Sequence, residues 1–85
     1  MTHSANADFW EAYNRLPVRV QRIADKNHKL LLADPHHPSL HFKKVGRYWS
    51  VRAGKGYRAV AAEHDGDFVW FWIGTHDEYE RVILS

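Results

Sequence analysis

Two side chains that can transfer protons follow directly on the most apolar segment of the chain. Residues 68–73, FVWFWI, are consecutive apolar residues, and Gly74 and Thr75 end the run. His76 comes next, and Tyr79 follows three positions later. The unperturbed pKa of histidine, about 6.5, suits general acid–base chemistry near neutral pH. A buried strand is rigid and fixes the position of the side chains at its end. The imidazole of His76 and the phenol of Tyr79 are therefore candidate site groups.

A basic segment precedes this strand. No Asp or Glu lies between residues 41 and 58, and the cations of that segment are Lys43, Lys44, Arg47, Arg52, Lys55 and Arg58. A block of one sign favours a polyanionic or acidic partner, and a solvated strand face is the alternative interpretation. Arginine suits a phosphate partner, because its planar fork meets two oxygens at once.

The composition is that of one small folded domain, residues 1–85. Of the 85 residues 45% are hydrophobic and 14% aromatic, and the formal net charge is +2. The lack of cysteine excludes disulfides and thiolate metal sites and suits a reducing cytoplasm. No apolar run approaches the roughly 18 residues of a membrane span, and the N-terminus has no signal-peptide pattern, so we expect a cytoplasmic protein without a membrane partner.

The periodicity predicts which elements position these side chains. Residues 1–7 are predicted to be a flexible arm. An apolar stripe predicts a first helix that Ser4 or Asp8 caps and that ends near Pro17. A second helix is predicted from Val18 to Ala33, and Asp34-Pro35 ends it. The remaining predicted elements are strands over Leu40–Val45, Tyr48–Arg52, Tyr57–Glu63 and residues 68–73, and a closing helix over Glu78–Leu84.

These elements predict an α+β fold. An N-terminal helical hairpin packs on one face of a four-stranded antiparallel sheet, because neither layer can bury its apolar side alone. The other face stays at least partly open. The alternation of side chains along the strands places His41, Lys43, Arg52 and Arg58 on that open face, near His76.

Two short motifs carry a resemblance to a known family. They are Arg52, Gly54, Tyr57 and Arg58, which span the turn between two predicted strands, and Ile73, Gly74, His76 and Tyr79 near the end of the sequence. In this order and spacing, residues 9–84 resemble the RelE/ParE superfamily of type II toxin–antitoxin toxins, and the RelE-like mRNA interferase branch most of all. The usual family member begins with an N-terminal strand, and the sequence shows no strand pattern there.

The resemblance implies roles for individual residues. Arg58 matches an arginine that contacts the scissile phosphate in RelE-like nucleases, and Arg52 matches a position that is often basic. His76 matches a histidine that is catalytic in one nuclease branch, and Tyr79 is similar to the C-terminal tyrosine of other members. His41 aligns loosely with a functional histidine. We therefore expect His76, Arg58, Tyr79 and Arg52 to be catalytic, and His41, Lys43, Lys44, Arg47 and Lys55 to bind RNA.

The implied activity is ribosome-dependent cleavage of mRNA without a metal or cofactor. The 2′-hydroxyl of the RNA attacks the adjacent phosphate, a histidine transfers a proton, and arginines hold the developing charge. Tyr79 would position the substrate or relay a proton, and Tyr48 or Trp49 could stack a base. The implied partners are a cognate antitoxin and mRNA on the ribosome. Whether the isolated chain forms a homodimer stays open.

Other interpretations of the chain and of its site residues stay open. A ParE-like inhibitor of DNA gyrase and a non-toxic interaction protein are the alternative functions. His76 could instead cap a helix, and Tyr79 could be a packed aromatic residue. The two arginines could pair with Glu63 or Asp77. A metal site in the irregular loop that holds His36, His37 and His41 is disfavoured.

Overall fold

A five-stranded mixed sheet organises residues 2–84, the residues that the computed structural model describes. Residue 1 of the predicted arm and residue 85 of the predicted domain lie outside them. The strand order is β1-β5-β4-β3-β2; β1 runs parallel to β5 and the other neighbours are antiparallel. The elements in chain order are β1 (His3–Ala5), α1 (Ala7–Asn14), α2 (Val18–Ala33), a 3-10 turn (Pro38–Leu40), β2 (Lys43–Val45), β3 (Tyr48–Arg52), β4 (Tyr57–His64), β5 (Asp67–Thr75) and α3 (His76–Leu84). The predicted α+β class is confirmed. No helix in residues 2–84 is long and apolar enough to cross a membrane.

The first strand corrects the prediction of a flexible arm and of a four-stranded antiparallel sheet. His3, Ser4 and Ala5 pair in parallel with the first half of β5. The Phe68 N–H donates to the Thr2 carbonyl at 2.8 Å. The His3 ring stacks on the Phe68 ring, with centroids 5.0 Å apart. Three residues of low strand propensity give no periodic signal, and this strand exists because β5 offers it an unpaired edge.

The side chain of His3 connects β1 to the core. Trp70 Nε1 donates to His3 Nδ1 at 3.0 Å, so the neutral imidazole carries its proton on Nε2. Nε2 is buried without a hydrogen-bond partner. Burial, and next the charge of His28, lower the pKa of His3 below its ordinary value of 6.5. Protonation of His3 therefore opposes folding.

We expect the free energy of unfolding to depend on pH through His3. Below pH 6.5 the unfolded chain binds a proton that the folded chain excludes, so stability is complete above this pH and falls as the pH drops towards the lowered pKa. The slope stays below about 1.4 kcal/mol per pH unit, the limit for one proton. Urea unfolding between neutral and mildly acidic pH measures it. His3→Asn, which keeps an acceptor for Trp70, should flatten the curve.

The first face of the sheet packs against the two N-terminal helices. Val51, Ala59 and Ile73 lie opposite one another on β3, β4 and β5 and are buried with Leu31 of α2. Both helices lie where the sequence predicts them. Asn6, rather than Ser4 or Asp8, caps α1 by accepting the Phe9 N–H at 3.0 Å. A cavity of about 180 Å³ remains between α1, α2 and this face.

The second face of the sheet carries Ser50, Arg52 and Arg58. Ser50 and Arg52 alternate with Val51 along β3, and Arg58 is the register partner of Arg52. α3 lies across part of this face and buries Tyr79 against fully buried Ser50. α3 therefore covers part of the face that we expected to stay at least partly open, and Arg52 and Arg58 are of intermediate exposure on that face.

The connections between strands agree with the sequence in one place and differ in another. Asp65 and Gly66 have positive φ values, 51° and 85°, and form the predicted hairpin turn between β4 and β5. The strand predicted over Leu40–Val45 is shorter, because His41 adopts a left-handed conformation with φ 48° after the 3-10 turn. β2 begins only at Lys43.

Candidate active site

Two arginines lie side by side on the second face. Arg52 and Arg58 are register partners on β3 and β4, and both are half-buried. Within residues 2–84 no carboxylate lies within 4 Å of either guanidinium, so the pairing with Glu63 or Asp77 does not form. Two like charges directly opposite each other destabilise a sheet. The pair therefore concentrates positive charge that the described residues leave uncompensated.

The Arg58 guanidinium has a buried donor without an acceptor. Its Nη1 atom is inaccessible to solvent and has no hydrogen-bond partner among the described residues. An unpaired buried donor costs about 1–3 kcal/mol, and more when the group is charged. A phosphate or carboxylate that reached the guanidinium would offset this cost, because an arginine fork meets two oxygens with two hydrogen bonds.

α3 brings two further predicted residues to Arg58. The Cζ atom of Arg58 lies 5.5 Å from the centroid of the Tyr79 ring, which is within cation–π range. The ring centroids of His76 and Tyr79 are 5.7 Å apart. Arg58 and His76 are therefore both neighbours of Tyr79, and Arg52 is the register partner of Arg58 on the adjacent strand. The four residues predicted to be catalytic form one cluster.

Tyr79 differs from the other three residues in its exposure. It is 7% exposed, and its hydroxyl donates to Ser50 Oγ at 3.4 Å in the interior. The polar end of Tyr79 thus points into the protein, and its ring is the part that Arg58 and His76 contact. The interpretation of Tyr79 as a packed aromatic residue agrees with this burial.

His76 is the accessible proton-transfer group of the cluster. Half of its side chain is exposed, and its Nδ1 atom lies 4.0 Å from Glu80 Oε1, one helical turn further on. Its backbone N–H donates to the Gly56 carbonyl at 2.8 Å, which ties the start of α3 to the turn before β4. The closing helix, predicted to begin at Glu78, thus begins two residues earlier, with His76 as its first residue.

A capping box, rather than His76, satisfies the free backbone donors at this helix start. Thr75 Oγ1 accepts the Glu78 N–H at 3.3 Å, and Glu78 Oε1 accepts the Thr75 N–H at 3.2 Å. The hydrogen bonds from Thr75 hold the pKa of Glu78 below its ordinary value. The alternative in which His76 caps the helix is therefore wrong, and its imidazole stays free for other chemistry.

We expect Glu78→Ala to destabilise the protein by about 0.5–2 kcal/mol, the usual cost of a lost helix cap. Asp77→Ala is the matched control: it also removes an acid from the first turn but breaks no hydrogen bond of the capping box, so only the weaker interaction with the helix dipole is lost. Urea unfolding at neutral pH measures both. Equal losses from the two variants would mean that charge, and not the capping box, stabilises the start of α3.

The five residues predicted to bind RNA are all exposed but do not share one face. Lys43 is the partner of Ser50 and lies on the second face, whereas Lys44 is the partner of Trp49 and lies on the first. Arg47 lies over the Tyr48 ring at 5.5 Å in the β2–β3 turn. Lys55 lies in the β3–β4 turn and His41 before β2. We expected His41, Lys43, Arg52 and Arg58 to share one face of the sheet. Lys43, Arg52 and Arg58 do so, whereas His41 lies before β2 and is not oriented by that strand.

The two candidate stacking residues, Tyr48 and Trp49, also lie on different faces of the sheet. Tyr48 has the parity of Ser50 and contacts Phe71 on the second face, with ring centroids 5.1 Å apart. Trp49 points to the first face, where its ring packs at 4.9 Å from the Phe42 ring and its Nε1 donates to Glu63. Of the two, only Tyr48 shares a face with the arginines.

Sequence reasoning missed Ser50 and Glu80. Ser50 lies in a strand two positions before Arg52. Because side chains two positions apart on a strand share a face, this spacing could have placed Ser50 on the face of the arginines. Glu80 follows His76 by four positions, which places the two side chains on one helix face. This spacing could be used only if the closing helix was predicted to begin at His76 rather than at Glu78.

Comparison with solved structures identifies the fold. A chain of the RelB–RelE antitoxin–toxin complex from Methanococcus jannaschii superposes with a TM-score of 0.71 at 10% identity, over 92% of this chain and 95% of that chain. The YoeB/ParE toxin from Agrobacterium tumefaciens gives 0.66 at 16% identity, over 89% and 99%. YafQ from E. coli gives 0.67 at 12% identity, over 91% and 94%. The structural neighbours are thus toxins of the RelE/ParE superfamily. No protein-family model and no curated protein matches the sequence.

Proposed function

We propose that this chain is the toxin of a type II toxin–antitoxin system and that it cleaves mRNA on the ribosome. The RelE-like fold supports the toxin role. The observation that supports the nuclease role is that Arg58, whose Nη1 atom lacks a hydrogen-bond partner among the described residues, and the accessible imidazole of His76 both contact the Tyr79 ring. A cation with an unused donor binds a phosphate, and an adjacent imidazole can transfer a proton.

The cluster can perform cleavage by internal attack. Arg58 and Arg52 bind the two non-bridging oxygens of the scissile phosphate and stabilise the negative charge that grows on them. His76 takes the proton of the 2′-hydroxyl as this oxygen bonds to phosphorus. The bond from phosphorus to the 5′-oxygen breaks, and that oxygen takes a proton from water. The products are a 2′,3′-cyclic phosphate and a 5′-hydroxyl.

Glu80 has a place in this scheme as a positioning residue. Its carboxylate lies on the Nδ1 side of the His76 ring at 4.0 Å. A carboxylate there favours a proton on Nδ1 and leaves Nε2 as the base, and it stabilises the imidazolium that forms. The remaining exposed cations lie on both faces of the sheet and in two turns. This spread does not form a narrow RNA-binding groove, and it suits RNA that a large partner such as the ribosome presents to the protein.

A free toxin of this kind requires a neutralising partner. The M. jannaschii neighbour belongs to a toxin–antitoxin complex, and we infer a cognate antitoxin for this chain. The exposed apolar side chains Trp10, Val18 and Leu32 on α1 and α2 are surfaces that a protein partner could cover. If a small open reading frame lies beside this gene and encodes the antitoxin, its co-expression should restore growth. An action on ribosomes places the protein in the cytoplasm.

Induced expression with mapping of transcript ends tests the proposal. We expect growth arrest and new 5′ ends inside translated frames, which disappear when translation initiation on the same message is blocked. DNA trapped in gyrase cleavage complexes, with intact messages, would instead establish a ParE-like inhibitor. Normal growth at full expression would leave only a non-toxic protein with this fold.

A further inference from the structure

The position of Tyr79 sets it apart from a residue that handles protons. Its hydroxyl is buried and donates to Ser50 Oγ at 3.4 Å, and Ser50 is itself fully buried. An RNA on the surface of the protein cannot reach this hydroxyl without displacing α3 from the sheet. A proton relay needs an atom within about 2.6–3.2 Å of the reacting group or of one bridging water.

The Tyr79 ring contacts two candidate site residues that come from different elements. Arg58 comes from β4 and lies over the ring with Cζ 5.5 Å from its centroid. His76 comes from the first turn of α3, and its ring lies 5.7 Å from the same centroid. Within residues 2–84, Arg58 and His76 form no hydrogen bond with each other, and both contact the aromatic ring of Tyr79. The ring is held in place by its burial, since Tyr79 is only 7% exposed.

We propose that Tyr79 is a positioning residue: its ring sets the placement of the Arg58 guanidinium relative to the His76 imidazole, and its hydroxyl takes no part in proton transfer. The proposal rests on the proposed function, because a phosphate clamp and a base must stand at a defined separation to act on one phosphodiester. A rigid aromatic ring meets that need, since a misplacement of about 1 Å can cost about 10²-fold in rate. A cation over a ring is also favoured electrostatically.

Three variants separate the ring from the hydroxyl. Tyr79→Phe keeps the ring, Tyr79→Leu keeps an apolar filling without it, and Ser50→Ala removes only the hydroxyl's partner. We expect less than about a tenfold change in mRNA cleavage for Tyr79→Phe and Ser50→Ala, because each loses one weak hydrogen bond. Tyr79→Leu should lose about 10²-fold. If Tyr79→Phe loses as much as Tyr79→Leu, the hydroxyl is the working group and the proposal fails.

A spectroscopic readout distinguishes positioning from mere support of the fold. The Nε–H signal of Arg58 in the full chain should be shifted by the ring current of Tyr79. We expect the shift of the Arg58 signal to persist in Tyr79→Phe and to vanish in Tyr79→Leu. Circular dichroism should show that both variants keep the secondary structure of the wild type. An unshifted Arg58 signal in the wild type would overturn the proposal. This measurement involves no RNA, so it stands whether or not the chain is a nuclease.

A double-mutant cycle tests whether Tyr79 acts through Arg58. The readout is the affinity for an oligonucleotide with a 2′-deoxy substitution at the cleavage position, which binds but cannot react. If the ring positions Arg58, Tyr79→Leu should weaken binding in the wild type but not further in Arg58→Ala. Additive losses would show that Tyr79 acts on binding independently of Arg58, against the proposal. If the wild type neither binds nor cleaves RNA while the ring-current shift is present, the proposed function fails and the arrangement of Arg58 on the ring remains.

Discussion

Replacement of His76 by alanine is expected to lower ribosome-dependent mRNA cleavage by about 10²–10⁴-fold, the usual contribution of a positioned acid or base. The fold should survive, because the side chain is half exposed and its backbone N–H can still donate to the Gly56 carbonyl. The capping box of Thr75 and Glu78 keeps the start of α3 in place. A loss of this size would therefore report the missing imidazole rather than a missing helix.

His64 provides the matched control for this experiment. It is a histidine in the β4–β5 hairpin, 89% exposed, with a carboxylate of Asp65 at 3.5 Å, so its local chemistry resembles that of His76 beside Glu80. His64→Ala should cleave like the wild type. Rates of initial cleavage on ribosomes programmed with a defined message measure both variants. If His76→Ala and the wild type cleave at the same rate, the imidazole is not the proton-transfer group and the mechanism loses its base.

The sequence predicted the elements whose signals are local. The apolar run of β5, the Asp65-Gly66 turn and the two N-terminal helices each depend on patterns within a few residues, and each lies where the pattern indicated. Arg58 and His76 were named as candidate site residues from the resemblance, and their motifs, one at the start of a predicted strand and the other after a buried strand, can be read without a tertiary structure.

The parts that were missed depend on contacts between distant segments. β1 forms only because β5 presents an unpaired edge 65 residues later, and nothing in His3–Ala5 indicates a strand. The conformation of His41 depends on a 3-10 turn whose Leu40 is fully buried, and that burial is tertiary. The direction of the Tyr79 hydroxyl follows from α3 crossing the second face, which no periodicity in nine residues can show. Candidate site residues could thus be named along the chain, whereas the burial of the Tyr79 hydroxyl against Ser50 required the packed structure.

Arg58, a candidate site residue, is unfavourable for the fold. Its guanidinium lies opposite Arg52 and has an Nη1 atom that is buried without an acceptor. Both features raise the free energy of the folded state in the absence of a ligand. A bound phosphate would remove both at once, because it supplies acceptors and neutralises the pair. A conflict of this kind between stability and site chemistry is typical of functional positions.

Replacement of Arg58 by methionine is therefore expected to change activity and stability in opposite directions. Cleavage should fall by about 10²–10³-fold, the usual loss when one charge-stabilising donor is removed. The free energy of unfolding should rise by about 1 kcal/mol, because the variant removes a buried unpaired donor and one of two opposed charges. Methionine keeps a contact between its sulfur and the Tyr79 ring. Urea unfolding and ribosome-programmed cleavage on the same preparations measure the two effects.

Arg47→Met distinguishes this trade-off from a general effect of removing an arginine. Arg47 also lies over a tyrosine ring, with Cζ 5.5 Å from the Tyr48 centroid, but it is exposed in a turn. Its loss should neither stabilise the fold nor reduce cleavage by more than about tenfold, since one exposed phosphate contact contributes little. Arg58→Lys should resemble Arg58→Met in activity, because an ammonium group cannot make the two parallel hydrogen bonds. If Arg58→Met destabilises the protein, the guanidinium is satisfied in the folded state by a group other than a ligand, and the reason for assigning a phosphate to it disappears.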